Sequence, residues 1–325
     1  MKGILIDDDQ QLYRQETETP QVGTGQVLIK VHATAINRAD LMQRRGFYPP
    51  PPGASTIMGL ECAGEIAEVG KEVDRWKLGD RVCALLPGGG YAEYAIAHEG
   101  SVLPVPGSFS FAEAASLPEV FATVWLNLFM QAELTPGEKV ILHAGGSGIG
   151  TAGIQLCKAF GSPCYVTVGS DEKLQRCLAL GADAGSNRHV EPFLDKAREF
   201  AGQEGIGVIL DPVGGSYLKD NLDLLGLEGR LVLIGLMGGG VTEINLPMLL
   251  GKRLQVIGST LRTRTDQAKA RVMADMEEKV WPKLESSEIV PIIHTSMPIT
   301  EAGAAHDLVA SDATFGKVVM TVTDS

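Results

Sequence analysis

The chain has 325 residues, 44% hydrophobic and 21% charged, the balance of a folded protein long enough for two domains. A net charge of −12 and the lack of a basic stripe interleaved with aromatics weigh against nucleic-acid binding. No apolar run reaches the roughly 18 residues of a membrane span, and Met1-Lys2 opens a short strand-like run that breaks at Asp7-Asp8-Asp9 rather than a secretory leader.

Five cysteines (Cys62, Cys83, Cys157, Cys164 and Cys177) form no CxxC pair and read as reduced, buried thiols, so a cytoplasmic protein is expected. The first third is β-rich: Val27–Val31 follows the turn Gly23-Thr24-Gly25, and Glu61–Val69 alternates small or apolar residues with Glu65 and Glu68. Arg81–Leu86 and Tyr91–Ala97 flank a Pro87-Gly88-Gly89-Gly90 turn. Between these strands, the polar stretch Asn37–Arg45 predicts one or two helical turns. It leads into Pro49-Pro50-Pro51-Pro52-Gly53, which can be neither helix nor central strand.

Helical periodicity runs from Phe111 to Met130 with an interruption at Pro118. Strands are then predicted at Val140–His143, Cys164–Val168, Gly207–Asp211, Leu231–Leu236 and Leu254–Ser259, with helices at Ile149–Phe160, Glu172–Leu180 and Pro192–Gln203. That alternation predicts an α/β fold with a doubly wound parallel sheet. A long polar helix, Gln267–Leu284, precedes strand-like Ile289–Ile293 and a closing strand, Lys317–Thr323, which is expected to rejoin the first domain.

The segment from Lys139 to Gly150 runs from an apolar strand through a glycine cluster into a helix. A dinucleotide site needs a tight turn, backbone close to the pyrophosphate, and the free N–H groups of a helix N-terminus. With Gly145 and Gly150 in the outer places, Ser147 takes the centre, and Gly146, Gly148 and Ile149 complete the turn. The literal pattern Gly148, Gly150, Gly153 puts its last glycine inside the helix, so the first register is preferred. About 20 residues on, an NAD site carries an acid at the second strand's end. Here that end is Gly169-Ser170, with Lys173 and Arg188 close behind, which favours NADPH. Asp171 and Glu172 stand beside them as opposing charges, or as favourable charges at a helix start.

Ala35-Ile-Asn-Arg-Ala-Asp40, Gly59-Leu-Glu-Cys-Ala-Gly64, Gly79-Asp-Arg-Val82, the glycine turn with Gln155 and Lys158, and Gly181-Ala182 together resemble a zeta-crystallin-like quinone oxidoreductase of the medium-chain dehydrogenase/reductase superfamily. Leu85–Gly90 and Gly235–Gly240 resemble its tumour-suppressor-inducible branch. The resemblance implies a GroES-like β-rich catalytic domain (1–120 and 266–325), a Rossmann NADPH-binding domain (121–265), and a homodimer through Leu254–Ser259. Zinc-dependent relatives have Cys where Asn37 stands and His where Leu60 stands, and neither replacement is a zinc ligand. No metal is expected.

Without a metal an alkoxide is hard to form, whereas a quinone or enone accepts hydride and needs mainly a hydrogen-bond donor. By resemblance Asn37 and Tyr48 line the nicotinamide and acceptor pocket, with Asp40 the third catalytic candidate and Met42 and Arg44 in the substrate pocket. Tyr48 could equally pack beside the prolines, and Asp40 could cap a helix or pair with Arg44. Thr123 is implied to touch nicotinamide, or is a plain helical Thr. Leu236-Met237-Gly238, after a parallel strand, and Thr260-Leu261-Arg262, after the last strand, are cofactor candidates, while Arg262 could also serve the dimer or solvent. The expected activity is NADPH-dependent quinone reduction; an enone or enoyl-thioester reductase, or an NADPH-binding structural protein, are the rivals.

Overall fold

A computed structural model describes residues 1–322, so Thr323, the end of the expected closing strand, lies outside the described residues. The chain divides into two units, Met1–Ala122 with Leu261–Ser325 and Thr123–Thr260. None of the described helices is long and apolar enough to cross a membrane.

Unit 1 begins with a hairpin of β1 (Lys2–Ile6) and β2 (Leu12–Glu16). Next come β3 (Gln26–Ala35), α1 (Arg38–Arg44), β4 (Glu61–Val69), β5 (Arg81–Leu85), β6 (Tyr94–His98) and β7 (Val102–Pro104). The helical stretch after them, which passes from unit 1 into unit 2 at Thr123, is broken three ways. Helix α2 (Phe111–Ala115) has a Ser110–Glu113 capping box, α3 (Pro118–Val124) opens on its proline, and Trp125–Gln131 widens into a π-helix. Proline suits a first helical turn because its missing N–H would have no partner there.

Unit 2 holds β8 (Val140–Leu142), α4 (Gly148–Ala159), β9 (Cys164–Val168), α5 (Asp171–Leu180), β10 (Ala184–Asn187) and α6 (Phe193–Ala201). It continues with β11 (Ile206–Asp211), α7 (Leu218–Leu224), β12 (Leu225–Leu233), α8 (Leu246–Lys252) and β13 (Gln255–Gly258). Its strands form a wholly parallel sheet in the order β10-β9-β8-β11-β12-β13. Strand β10 escapes periodicity because Ala-Gly-Ser-Asn lacks branched or aromatic side chains. The core packs Ile141, Tyr165, Ile209 and Leu231 against Phe193 and Leu222.

The chain then returns to unit 1. The predicted helix Gln267–Leu284 is two, α9 (Asp266–Lys279) and α10 (Trp281–Glu285), because Pro282 cannot continue the ladder. The strand expected at Ile289–Ile293 instead starts at its last residue, past Pro291, as β14 (Ile293–Pro298). Helix α11 (Ala302–Ala310) and β15 (Lys317–Thr321) close the fold. The sheet order is β14-β15-β3-β4-β5-β7, and β6 also pairs with β3. Strand β15 lies antiparallel to the end of β3, with Val319 opposite Ala35, so the C-terminal strand meets the chain just before Asn37.

Candidate functional site

In unit 1 the end of β3, the start of β4 and the start of β15 bring three polar side chains together. The Lys317 ammonium donates to the Ile36 carbonyl (2.8 Å) and Asn37 Oδ1 (2.7 Å), and lies 2.7 Å from Glu61 Oε1. The side chains of Lys317 and Glu61 are 4% and 0% exposed. Asn37 Nδ2 donates to Glu61 Oε1 at 2.8 Å, and the Glu119 backbone N–H donates to Glu61 Oε2 at 2.8 Å. An ammonium only donates and a carboxylate only accepts, so Asn37's amide can be oriented one way alone.

Asp40 is buried and takes up two backbone donors, Asn37 N–H (2.8 Å) and Gly59 N–H (3.1 Å). Burial raises its carboxyl to about 6, against those hydrogen bonds. It therefore caps α1 and ties it to the segment before β4; it does not pair with Arg44, whose side chain donates to the Gln10 carbonyl (2.6 Å) and meets Asp307. Asp40 thus positions Asn37. Met42 lies 40% exposed on the same helix.

Tyr48 is half-buried, and burial followed by the nearby Glu119 charge raises its phenol. Arg262 is 3% exposed and donates to the carbonyls of Pro87 (2.7 Å) and Tyr48 (3.2 Å), with its guanidinium 5.3 Å from the Tyr48 ring centre. It anchors the Tyr48 loop, and Leu261 beside it is buried in the same unit. Glu119 escaped the sequence reading. Burial, and then the Glu61 carboxylate, push it up to about 8.

In unit 2 the glycine turn lies where the parallel sheet reverses its order, between β8 and β11. Ser147 caps α4 by accepting from the Gly150 N–H at 3.0 Å. Among the described residues, no protein group takes the N–H of Gly148 or Ile149. A Cβ on Gly145 would stand 2.7 Å from Val166, and one on Gly150 2.4 Å from the Gly145 carbonyl. Both glycines are needed, while Gly153 packs inside α4 against Leu142, as the first register requires.

At the tip of β9, Arg188 lies over Gly169, its guanidinium 3.2 Å from where a Cβ would be. Ser170 caps α5 by accepting from Lys173 N–H. Asp171 accepts from Asn187 Nδ2 at 2.9 Å, and Glu172 faces Arg176. Leu236, Met237 and Gly238 follow β12, with Met237 and Gly238 bonded to the β11 loop at Pro212 and Val213. Thr123 is buried in α3 and gives its carbonyl to Asn127; Thr260 ends unit 2. The turn, the uncommitted N–H groups and the cationic strand tip fit a phosphorylated dinucleotide.

A parallel Rossmann sheet with this turn, joined in one chain to a GroES-like β domain, defines a medium-chain dehydrogenase/reductase type of oxidoreductase. Residues 23–107 match the alcohol dehydrogenase GroES-like domain family, and residues 148–278 match the zinc-binding dehydrogenase family. Rat quinone oxidoreductase is 32% identical over 306 residues, 93% of this chain and 90% of that protein. The Escherichia coli quinone oxidoreductase complexed with NADPH is 27% identical with a TM-score of 0.85, over 99% of both chains. A mycobacterial protein complexed with NADPH is 25% identical with a TM-score of 0.88, over 99% of this chain and all of its own. The chain belongs to the quinone oxidoreductase family of that superfamily. Although one matched family is named for zinc, among the described residues no three His, Cys, Asp or Glu side chains are grouped to hold a metal ion.

Lys317→Met leaves Glu61 as a buried charge without its partner, so chemical denaturation should show a loss of about 3–5 kcal/mol. Adding Glu61→Gln should recover part of it. A double variant whose loss equals the sum of the two single losses would show that the two groups are not coupled.

Proposed function

We propose that the protein reduces quinones with NADPH, without a metal, and that it belongs to the zeta-crystallin-like, tumour-suppressor-inducible branch of its family. Quinone rests first on relatives named quinone oxidoreductase that are 32% and 29% identical. The branch rests on Leu85–Gly90 and Gly235–Gly240.

NADPH rests on one observation above the rest: the β9 tip offers Gly169, Ser170 and the Arg188 guanidinium, and the nearest acid, Asp171, is already engaged by Asn187. Gly145 to Gly150 would hold the pyrophosphate, Lys173 and Arg188 the 2′-phosphate, and Thr123, Leu236–Gly238 and Thr260 the rest of the dinucleotide. When bound, the cofactor supplies the hydride. In unit 1 the Tyr48 hydroxyl donates a hydrogen bond to the reduced acceptor's oxygen, Met42 and Arg44 border the acceptor, and Asn37 presents an amide held rigid by Lys317 and Glu61. Quinone, NADPH and one proton give hydroquinone and NADP⁺. No step needs a Lewis acid, because the acceptor is already electrophilic.

We also propose a homodimer through Leu254–Ser259, with no nucleic-acid or membrane partner and a cytoplasmic location. In unit 2, β13 is an edge strand that carries exposed Val256, and the chain leading into it exposes Val241, Leu246 and Leu250, Val241 at 96%. Exposed apolar edges are otherwise an aggregation hazard. Light scattering on the purified protein should return twice the chain mass, and Val256→Glu should return the chain mass. A monomeric wild type ends the dimer proposal.

Steady-state oxidation of NADPH with ortho- and para-quinones, set beside enones and enoyl thioesters, should give the highest kcat/KM for a quinone. Higher kcat/KM for an enone or thioester would favour the reductase rival, and tight NADPH binding without turnover of any acceptor would favour a structural role.

Arg188→Ala and Lys173→Ala should each raise the NADPH Kd by about tenfold while changing that of NADH by less than about twofold, the scale of one lost charge-assisted contact. Unchanged NADPH affinity in both variants would remove the 2′-phosphate assignment.

A further inference from the structure

Beneath the glycine turn of unit 2 runs a buried polar chain. His143, the residue after β8, is buried against the rings of Phe193 and Tyr217, 5.0 and 4.7 Å between centres. Its Nδ1 lies 3.0 Å from Thr167 Oγ1 and its Nε2 2.7 Å from Asn221 Oδ1. Asn221 Nδ2 donates to Asp211 Oδ2 at 2.9 Å, and Asp211 also accepts from the N–H groups of Val213 (2.6 Å) and Gly214 (3.1 Å).

The directions of these bonds follow from the end of the chain. A carboxylate accepts, so Asn221 turns its NH2 to Asp211 and its oxygen to His143. Nε2 must then carry the imidazole proton, Nδ1 is the acceptor, and the Thr167 hydroxyl donates to it. Burial lowers the imidazole pKa, consistent with a neutral ring.

Three members of this chain, His143, Thr167 and Asp211, sit at or beside the carboxyl ends of β8, β9 and β11, and Asn221 bridges two of them from within α7. His143 leads into Ala144–Ser147, and the Gly145 N–H donates to the Thr167 carbonyl at 2.9 Å. Thr167 is two residues before Gly169 at the β9 tip. Asp211 holds the Val213–Gly214 turn, and that turn holds the loop after β12: the Gly238 N–H donates to Val213 (2.7 Å) and the Gly215 N–H to Gly239 (2.9 Å). One imidazole thus links three loops through buried side-chain bonds, and the loop after β12 joins them through backbone bonds.

We infer that His143 is a positioning residue for the dinucleotide: as the Nε2–H tautomer it sets the spacing between the pyrophosphate turn, the β9 tip and the loops after β11 and β12. The inference rests on the nicotinamide-cofactor reading above and adds the group that holds that site in register. The Thr167 arm leads to the β9 tip, where the 2′-phosphate would lie, and meets the pyrophosphate turn at Gly145. The Asn221–Asp211 arm governs the loops that serve NADPH and NADH alike.

The test is equilibrium titration with NADPH and with NADH, followed by nicotinamide fluorescence, with melting temperature measured on every variant. Thr167→Val should raise the NADPH Kd by about tenfold and narrow its preference over NADH, the scale of one buried hydrogen bond lost. Asn221→Leu and His143→Leu should weaken both cofactors, Asn221→Leu without changing their ratio. Ile209→Val, in the same core but outside the chain of bonds, should lower the melting temperature and leave both Kd values unchanged. Wild-type binding with all three polar variants within twofold of it overturns the inference and leaves the cofactor reading standing. A wild type that binds neither nucleotide overturns both. Imidazole 15N shifts of the wild type give a check that needs no variant: a protonated Nδ1 and bare Nε2 would overturn the assignment.

Discussion

Lys317 and Glu61 face each other inside unit 1 with almost no access to water. Taking either charge out of water costs several kcal/mol, and attraction between the two offsets this only when their remaining donors and acceptors are also filled. That condition is met at every atom that matters. Lys317 finds three acceptors, and Glu61 receives Asn37 and the Glu119 backbone besides the ammonium. The requirement fixes more than two side chains. It sets the Asn37 amide at the head of α1, brings the start of α3 to β4, and pins the first residue of β15 to the end of β3. The acceptor end of the proposed reaction is therefore built on a constraint that tolerates little movement.

The dinucleotide end answers a different electrostatic problem. A protein of net charge −12 offers a poor field for a phosphorylated ligand. Over more than a Debye length, about 8 Å at physiological salt, that field is largely screened, so what counts is what lies at the site. There the structure supplies backbone N–H groups at the start of α4 and a guanidinium over Gly169, while the acids nearby have partners in Asn187 and Arg176. Local donors outweigh a global charge of the wrong sign.

Features made by near neighbours in the chain could be read from the sequence. The glycine turn, its register with Ser147 at the centre, and the apolar strands around it follow from patterns a few residues long. The helix after β3 and the break at Pro118 were legible for the same reason. Pro282 splits a helix that polarity alone made continuous, and β10 is built from residues with little strand preference. The ion pair of unit 1 was not legible at all: Lys317 and Asn37 meet across 280 residues, and no periodicity reports such a meeting. A lysine opening the apolar run of β15, and a glutamate beside Leu60 in an otherwise small and apolar segment, were the only signs. The His143 chain was hidden similarly, since a lone histidine after a strand says nothing of the threonine and asparagine that orient it.

Strand β15 also gives the protein a timetable. Unit 2 is one continuous stretch of chain, whereas unit 1 is interrupted by it. On a ribosome adding roughly 5–20 residues per second, Asn37 emerges on the order of tens of seconds before Lys317. Through that interval Glu61 lacks its ammonium, and β3 shows an unpaired edge where β15 will lie. The Rossmann unit can fold meanwhile, but the β-rich unit has to wait for the tail. The nascent protein thus carries a half-closed sheet for most of its synthesis, the stage at which a chaperone has most to protect.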